Sequence, residues 1–390
     1  MTDSPRYSRS LSPSSLPMFT FFVLLHLACL GLFWVDAGAT EWAVCFGLFV
    51  LRIFGVTAGY HRYFAHRAYK TSRVFQFVLG ALAQSSLQSG LIWWASKHRD
   101  HHKYVDTPRD SHSPREYGFW FSHLGWIFNE RAQHPNLDNV PDIIRYPELV
   151  WLDRYHWVPG AALGVGLWLW GGWSMLVVGF CLSTVITWHS TFFINSLAHV
   201  FGKQRYLTGD DSRNNFWLAL LTLGEGWHNN HHYYMSSVRQ GFFWWEIDIT
   251  YYLLKMLSWV GLVWDLKEPP AHVRAGERKI SAEVIDRVAK QLADTFSAEH
   301  ITSSVQARWE SSEVARAWAE FRLQAEERLA KSRQAMADWH LPELPSVEEF
   351  ERRARKMFAR SPSMDDVVLR ARQMLAETVT LRLPEPVQAG

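Results

Sequence analysis

The chain is 390 residues long, 48% hydrophobic and rich in Trp (21) and Phe (24), yet its formal net charge is only +2. So even a balance gives no basic surplus for a polyanion, and nucleic acid is left out of the expected partners. The three cysteines, Cys29, Cys45 and Cys181, all lie inside apolar runs, which excludes a disulfide framework and a built-in iron-sulfur or rubredoxin-like centre.

A short polar tail, 1–16, precedes a run from Met18 to Val35 that contains no Asp, Glu, Lys or Arg. Roughly 18 residues at about 1.5 Å each nearly cross a hydrocarbon core of about 30 Å, so 18–35 is a predicted span. No small-residue cleavage site follows it, and the span is expected to be retained. A second run, 42–60, is interrupted only by Arg52, whose long side chain is expected to snorkel towards the cytosolic end. This run delivers the chain to His61 and His66 in HRYFAH. The next apolar stretch, Val74 to Trp94, is long enough to cross but carries Gln84, Ser85, Ser86, Gln88 and Ser89. It is read as an interfacial or partly inserted helix hairpin leading into His98, His101 and His102 in HRDHH. From Tyr155 to Gly202 there is again no charged residue, enough for two spans, 157–176 and 178–200, turning near Gly171 and Gly172. Gly160 and Gly164 make a GxxxG that suits close helix packing. His199 ends this stretch, and His228, His231 and His232 follow in HNNHH.

Two of these groups are spelled HxxHH, and residues i, i+3 and i+4 share one helix face, so three imidazoles can converge on a point. Imidazole suits iron, zinc, copper or nickel, and more ligands than one ion takes points to two ions. The isolated His26, His123, His156 and His189 are instead expected to be hydrogen-bonded core residues. Lys and Arg are absent from 36–41 and from the Gly171 turn but plentiful elsewhere between runs, which places the tail, the middle loop and the region after 200 in the cytosol. All nine histidines then fall on one side. Sequence pattern alone thus predicts an all-α integral membrane protein with four transmembrane helices. A cytosolic helical cap would hold a histidine-ligated dimetal centre, and a C-terminal helical extension would follow.

The succession HRYFAHR, HRDHHKYVDTPRDSHSPREYGFWFSHLGWIF, NSLAHVFG and GEGWHNNHH resembles the membrane fatty-acid desaturases of the stearoyl-CoA desaturase type, over about Val50 to Lys267. The resemblance implies a di-iron centre that uses O₂ and two external electrons to place a cis double bond, most simply delta-9, in a long-chain saturated acyl-CoA. It implies nine ligands, His61, His66, His98, His101, His102, His199, His228, His231 and His232, with Asn195 approaching one iron through a water. It further implies a bent substrate tunnel shaped by Gln88, Trp94 and Thr191. Candidate partners of the ligand rings are Asp100, Asp106, Glu225 and Asn229. Where animal members carry an arginine and an aspartate before the second histidine group, this chain has Ser96 and Lys97, which leaves an acyl-lipid carrier open beside CoA. The segment RYPELVWLDRYH, 145–156, resembles bacterial members more closely, implying a bacterial inner membrane as the location.

The membrane domain is expected to end near 267, and 268–390 to form a charged helical extension. Val314, Trp318 and Phe321 set a helical spacing in one run and Phe350, Met357 and Phe358 in another, with Pro342, Pro345 and Pro362 dividing them. This extension carries no His-Pro-Gly-Gly haem signature, no cysteine cluster and no Gly-rich nucleotide loop. Electrons are therefore expected from a separate donor, cytochrome b5-like or a ferredoxin with its reductase. Three other readings remain: an acyl-lipid desaturase, a di-iron fatty-acid hydroxylase or alkane monooxygenase, and, remotely, a zinc-binding membrane hydrolase. Zinc can also replace iron in an overexpressed sample, so its presence alone would not identify the native metal.

Overall fold

The computed structural model describes residues 11–277, 280–311, 344–358 and 361–382. The chain forms two compact units, Met1–Ala275 and Gly276–Gly390. The first is mostly helical, apart from a two-residue antiparallel ladder that pairs β1 (Lys70–Thr71) with β2 (Val263–Trp264). That ladder is a small departure from an all-α expectation.

Among the described residues, three helical stretches are long and apolar enough to cross a membrane: Pro13–Phe33, Ala39–Ala65 and Val158–His199. The first begins as helix α1 (Leu16–Ala28), and the second begins as α2 (Ala39–Phe54). The third has 42 residues and is interrupted at Gly171 and Gly172, where Gly172 adopts φ +64°. Only a residue without a Cβ takes that angle freely, so the chain reverses where the sequence placed a turn. The two limbs pack on each other, with Phe180 against Gly164, while Gly160 admits Leu87. Outward faces of these helices keep large apolar side chains such as Leu24, Phe46, Leu169 and Trp170 exposed. Such contiguous exposure suits lipid rather than water.

Arg52 does not snorkel. It is fully buried, donates to Thr184 Oγ1 (2.5 Å) and Ser183 Oγ (3.3 Å), and lies over the Phe180 ring at 5.0 Å. Hydroxyls of the Ser183–Asn195 helix hold the guanidinium inside the protein. His26, His189 and His123 form a hydrogen-bonded chain, with 3.0 Å between His26 Nε2 and His189 Nε2 and 3.0 Å between His189 Nδ1 and His123 Nε2. The chain ends on Ser196 Oγ, 3.0 Å from His123 Nδ1. All three are hydrogen-bonded as expected, but only His123 is buried, and His26 and His189 are half-buried.

The stretch from Val74 to Trp94 is a hairpin of two helices, α3 (Arg73–Gln84) and α4 (Leu91–Tyr104). Ser72 caps α3 by accepting from Phe75 N–H at 3.1 Å. Gly90, the N-cap of α4, has no side chain to offer, and Asp153 supplies the cap by accepting from Ile92 N–H at 2.7 Å. A Cβ on Gly90 would collide with the Asp153 carboxylate, so glycine there is what lets the foreign cap reach the helix end. Val56, Tyr60, Phe64, Leu91, Ile92, Leu149 and Leu152 share one core that packs the end of the second long helix against α4. This core fixes HRYFAH beside HRDHH.

In the second unit, Phe350 is buried and stacks on Phe296 (4.2 Å between centroids), and Arg370 pairs with Asp286 at 2.8 Å. Pro345 and Pro362 each lie just before a helix, Val347–Met357 and Met364–Arg382. Val314, Trp318, Phe321 and Pro342 lie outside the described residues.

Candidate metal centre and acyl cavity

His61 and His66 are five residues apart, which on an α-helix would point them about 140° away from each other. From Gly55 to Ala65 the helix is wound as a π-helix, with His66 N–H donating to His61 O at 3.1 Å. That wider turn brings residue i+5 back over residue i, so both rings face one point. The α-helix α4 places His98 and His102 together at i and i+4, with His101 turned aside. The short helix His228–Tyr233 divides its three in the same way. Asn214 Oδ1 caps it by accepting from Asn229 and Asn230 N–H (3.0 and 3.1 Å).

The outcome is two clusters, His61, His66, His98, His102 and His231 in one, and His101, His199, His228 and His232 in the other. Within each, one nitrogen from every ring lies within 4.8 Å of the others. In the five-histidine cluster the Nε2 atoms meet in a row: His61 to His231 3.0 Å, His231 to His102 2.9 Å, His102 to His98 3.0 Å, and His98 to His66 2.8 Å. One imidazole nitrogen carries either a single proton or a single lone pair, so it can enter only one hydrogen bond. Four contacts among five such atoms therefore hold at most two hydrogen bonds, and the rest set like against like. A cation accepting all five lone pairs removes the conflict. The four-histidine cluster makes the same point differently: His232 Nδ1 is 3.1 Å from Asp210, and its buried Nε2 has no partner. Both clusters are therefore able to hold a metal ion, and the residues present fit one each.

Carboxylates fix the rings. His101 Nδ1 donates to Asp110 (3.0 Å), His199 Nδ1 lies 3.4 Å from Asp106, and His61 Nδ1 contacts Glu225. Burial alone would raise the pKa of Asp106, Asp110, Asp210 and Glu225, but the facing imidazoles, joined at Glu225 by Arg62, outweigh it and hold all four below the usual carboxylate range. Burial, then neighbouring rings, pulls His66, His98, His102, His228 and His231 well below the usual imidazole range. Neutral rings are the form that binds a metal.

Of the four candidate ring partners, Asp106 and Glu225 touch ligating-type rings, and Asp100 and Asn229 do not. Asp100 accepts from Asn139 (2.9 Å), and Asn229 Oδ1 accepts from Arg205 and Tyr206 N–H (2.7 Å each), ordering the loop that carries Asp210. Asp110 and Asp210 were not legible as partners: Asp110 sits in a turn past α4, and Asp210 is far from His232 in sequence, with no periodicity linking them. His112 was also passed over. It is buried, its ring lies 4.3 Å from that of His101 at a tilt of 39°, and its pKa is lowered to about 3, by burial first and then by His101.

Arg99 joins the ligand-bearing elements. It donates to Phe64 O (2.6 Å), Ala65 O (2.9 Å) and Asn139 O (2.6 Å) and pairs with Asp142 through both arms (2.7 and 2.9 Å). Phe64 O and Ala65 O belong to the helix end that carries His61 and His66, where carbonyls lack intrahelical donors. Lysine keeps the charge but not the fork. Arg99→Lys is expected to displace His61 and His66 from His98 and His102, lowering metal content from two ions per chain towards one, as read by elemental analysis. The four-histidine cluster takes nothing from the second long helix and should stay loaded.

A cavity of about 140 Å³ opens beside the clusters, lined by Phe22, Trp94, His98, Trp188 and Phe192 among others. Gln88, Thr191 and Asn195 line it too, and Gln88 Nε2 donates to Thr191 Oγ1 at 3.0 Å. Trp94 stacks on His98, 5.0 Å between centroids. All four sequence candidates thus share one cavity wall. Of the two residues that replace the animal pair, Lys97 lines this cavity, while Ser96 is buried and exchanges hydrogen bonds with Asn136 (2.7 and 3.0 Å).

The fatty acid desaturase family profile matches residues 40–261. The chain is similar to an acyl-CoA C20 Delta5-desaturase of Anemone leveillei, 38% identical over 63% of this chain and 79% of that protein. It is also similar to an sn-1 stearoyl-lipid 9-desaturase of Synechocystis sp., 36% identical over 68% of this chain and 84% of the relative. An sn-2 palmitoyl-lipid 9-desaturase of Nostoc sp. is 34% identical over 62% and 86%.

Proposed function

We propose, for a chain that belongs to the fatty acid desaturase family, that it is a desaturase of the stearoyl-CoA desaturase type acting on a long-chain saturated acyl group. Membership makes it an oxidoreductase of lipid metabolism. The observation that supports the finer reading is the largely apolar cavity whose lining includes Trp94, His98 and Asn195, beside two histidine clusters that are each able to hold a cation. Two iron ions held by His61, His66, His98, His102 and His231 and by His101, His199, His228 and His232 would activate O₂, which is the oxidant. With O₂, two external electrons and two protons, two hydrogens leave adjacent methylenes, giving a cis double bond and two waters. No acid-base group can start that reaction, because an unactivated C–H bond offers no acidic proton.

In this reading Asn195 orients a water at one ion. Successive methylenes are chemically alike, so position is set by depth: Gln88 and Thr191 pin the bend, and Trp94 and Trp188 confine the chain. A double bond at position 9 in an acyl-CoA is the first choice. An acyl-lipid substrate is the second, favoured by Ser96, which faces Asn136 and leaves Lys97 as the cation on the cavity wall. The Gly171–Gly172 reversal supports four crossings rather than three, since 42 helical residues at about 1.5 Å each would be twice the hydrocarbon thickness. The histidines then face the cytosol of a bacterial inner membrane, where a cytochrome b5-like protein or a ferredoxin with its reductase supplies electrons.

Expression in a host unable to make unsaturated fatty acids, followed by mass spectrometry of its lipids, tests this. New cis monoenes at one position are expected. Hydroxylated acyl chains in their place would move the protein to the hydroxylases.

A further inference from the structure

The two histidine clusters use the same ring but sit in different fields. Three carboxylates rest directly on Nδ1 atoms of the four-histidine cluster: Asp110 on His101, Asp106 on His199 and Asp210 on His232. Only Glu225 does so in the five-histidine cluster, on His61, and Arg62 grips that carboxylate at 3.0 and 3.2 Å. Asp248, held by the same Arg62, turns its oxygens to Gln240 N–H and Tyr251 N–H rather than to a ring. The second side-chain neighbour of His61 Nδ1, Gln240, is neutral, and Arg99 adds a cation near His66. Beside the four-histidine cluster Arg115 pairs with Asp211 at 2.5 Å and is also attracted to Asp106 and Asp210, and the Asp211 N–H donates to Asp106.

A carboxylate that takes the Nδ1 proton of a ligand ring pushes electron density onto Nε2 and makes the ring a stronger donor. Nearby negative charge also favours the more highly charged ion, and burial leaves that attraction poorly screened. Both effects act three times in one cluster and once, partly cancelled, in the other.

We propose that the two metal positions are inequivalent: the four-histidine cluster binds its ion more tightly and gives up an electron more readily, and the five-histidine cluster holds the ion that an external donor reduces first. This rests on the reading that each cluster holds an iron ion. Electrons balance simply: each ferric ion gains one electron from the donor, each ferrous ion loses one to the oxidant, and no group is transferred in that step. Asp106, Asp110 and Asp210 are positioning residues in this account, acting through His199, His101 and His232.

The test uses the full-length iron-loaded protein in detergent, titrated with dithionite under Mössbauer observation and separately challenged with a ferrous chelator. Two resolved one-electron steps and two stages of iron loss are expected. Asp210→Asn should raise the lower potential and weaken retention of the tighter ion by roughly 10- to 100-fold, leaving the other ion unchanged. Glu225→Gln should act on the other ion alone. If Asp210→Asn does not fold, Asp106→Asn makes the same test. A single unresolved step in the wild type, or an equal effect of Asp210→Asn on both ions, overturns the proposal. A wild-type protein that binds no pair of irons sinks instead the reading on which it rests.

Discussion

His231→Ala is expected to abolish desaturation, with product falling below about one-hundredth of the wild-type level and metal lost from the five-histidine cluster. The Nε2 of His231 lies between those of His61 and His102, at 3.0 and 2.9 Å, so its ring closes the cluster. Removing a partner one step away from a metal ligand already costs about 10- to 100-fold in affinity or activity, and removing the ligand should exceed that. The helix His228–Tyr233 should survive the change, because Asn214 accepts from Asn229 and Asn230 N–H and Asn230 donates to Glu246, none of which involves this ring. The check is metal per chain together with product by mass spectrometry. Full activity in this variant would remove the proposed ligand role of His231.

Arg62→Ala should be the most damaging single change to the fold near the site. Arg62 is 1% exposed and donates to Glu225 (3.0 and 3.2 Å), to Asp248 (2.9 and 3.1 Å) and to Val238 O (2.7 Å). Truncation leaves two buried carboxylates facing a void, a loss of the order of 3–5 kcal/mol for a broken buried pair. Glu225 then has no counter-charge while still bound to His61, so stability and metal retention should fall together. Thermal unfolding in detergent reads the first and elemental analysis the second. Arg62→Lys keeps a charge without the fork and should recover only part of the loss. An Arg62→Ala protein as stable as the wild type would mean that Glu225 and Asp248 are held by their other partners.

The parts of this molecule that follow a period were legible from sequence. Charge-free runs marked the long helices, and Gly171 and Gly172 marked the reversal. HxxHH marked the ligating-type rings, but each copy divides them two to one between the clusters instead of converging all three on a point. HRYFAH was legible only as a motif, because five-residue spacing makes sense on a π-helix and composition does not announce one. Asp110 and Asp210 escaped for a related reason: they reach their histidines from loops, and a loop contact leaves no spacing to read. Asn229 misled because an asparagine inside a histidine motif suggests a ring partner, whereas the backbone amides of Arg205 and Tyr206 claim its oxygen. Arg52 has no partner that its own helix would reveal: the hydroxyls that bind it come from Ser183 and Thr184, about 130 residues further along the chain.

The most direct measurement is a single-turnover experiment on purified protein with its iron content determined beforehand. Two irons per chain, reduced by two electrons and then exposed to O₂ with a saturated acyl substrate, should yield close to one cis monoene per metal pair. One zinc per chain in an active preparation whose activity needs no O₂ would contradict the account.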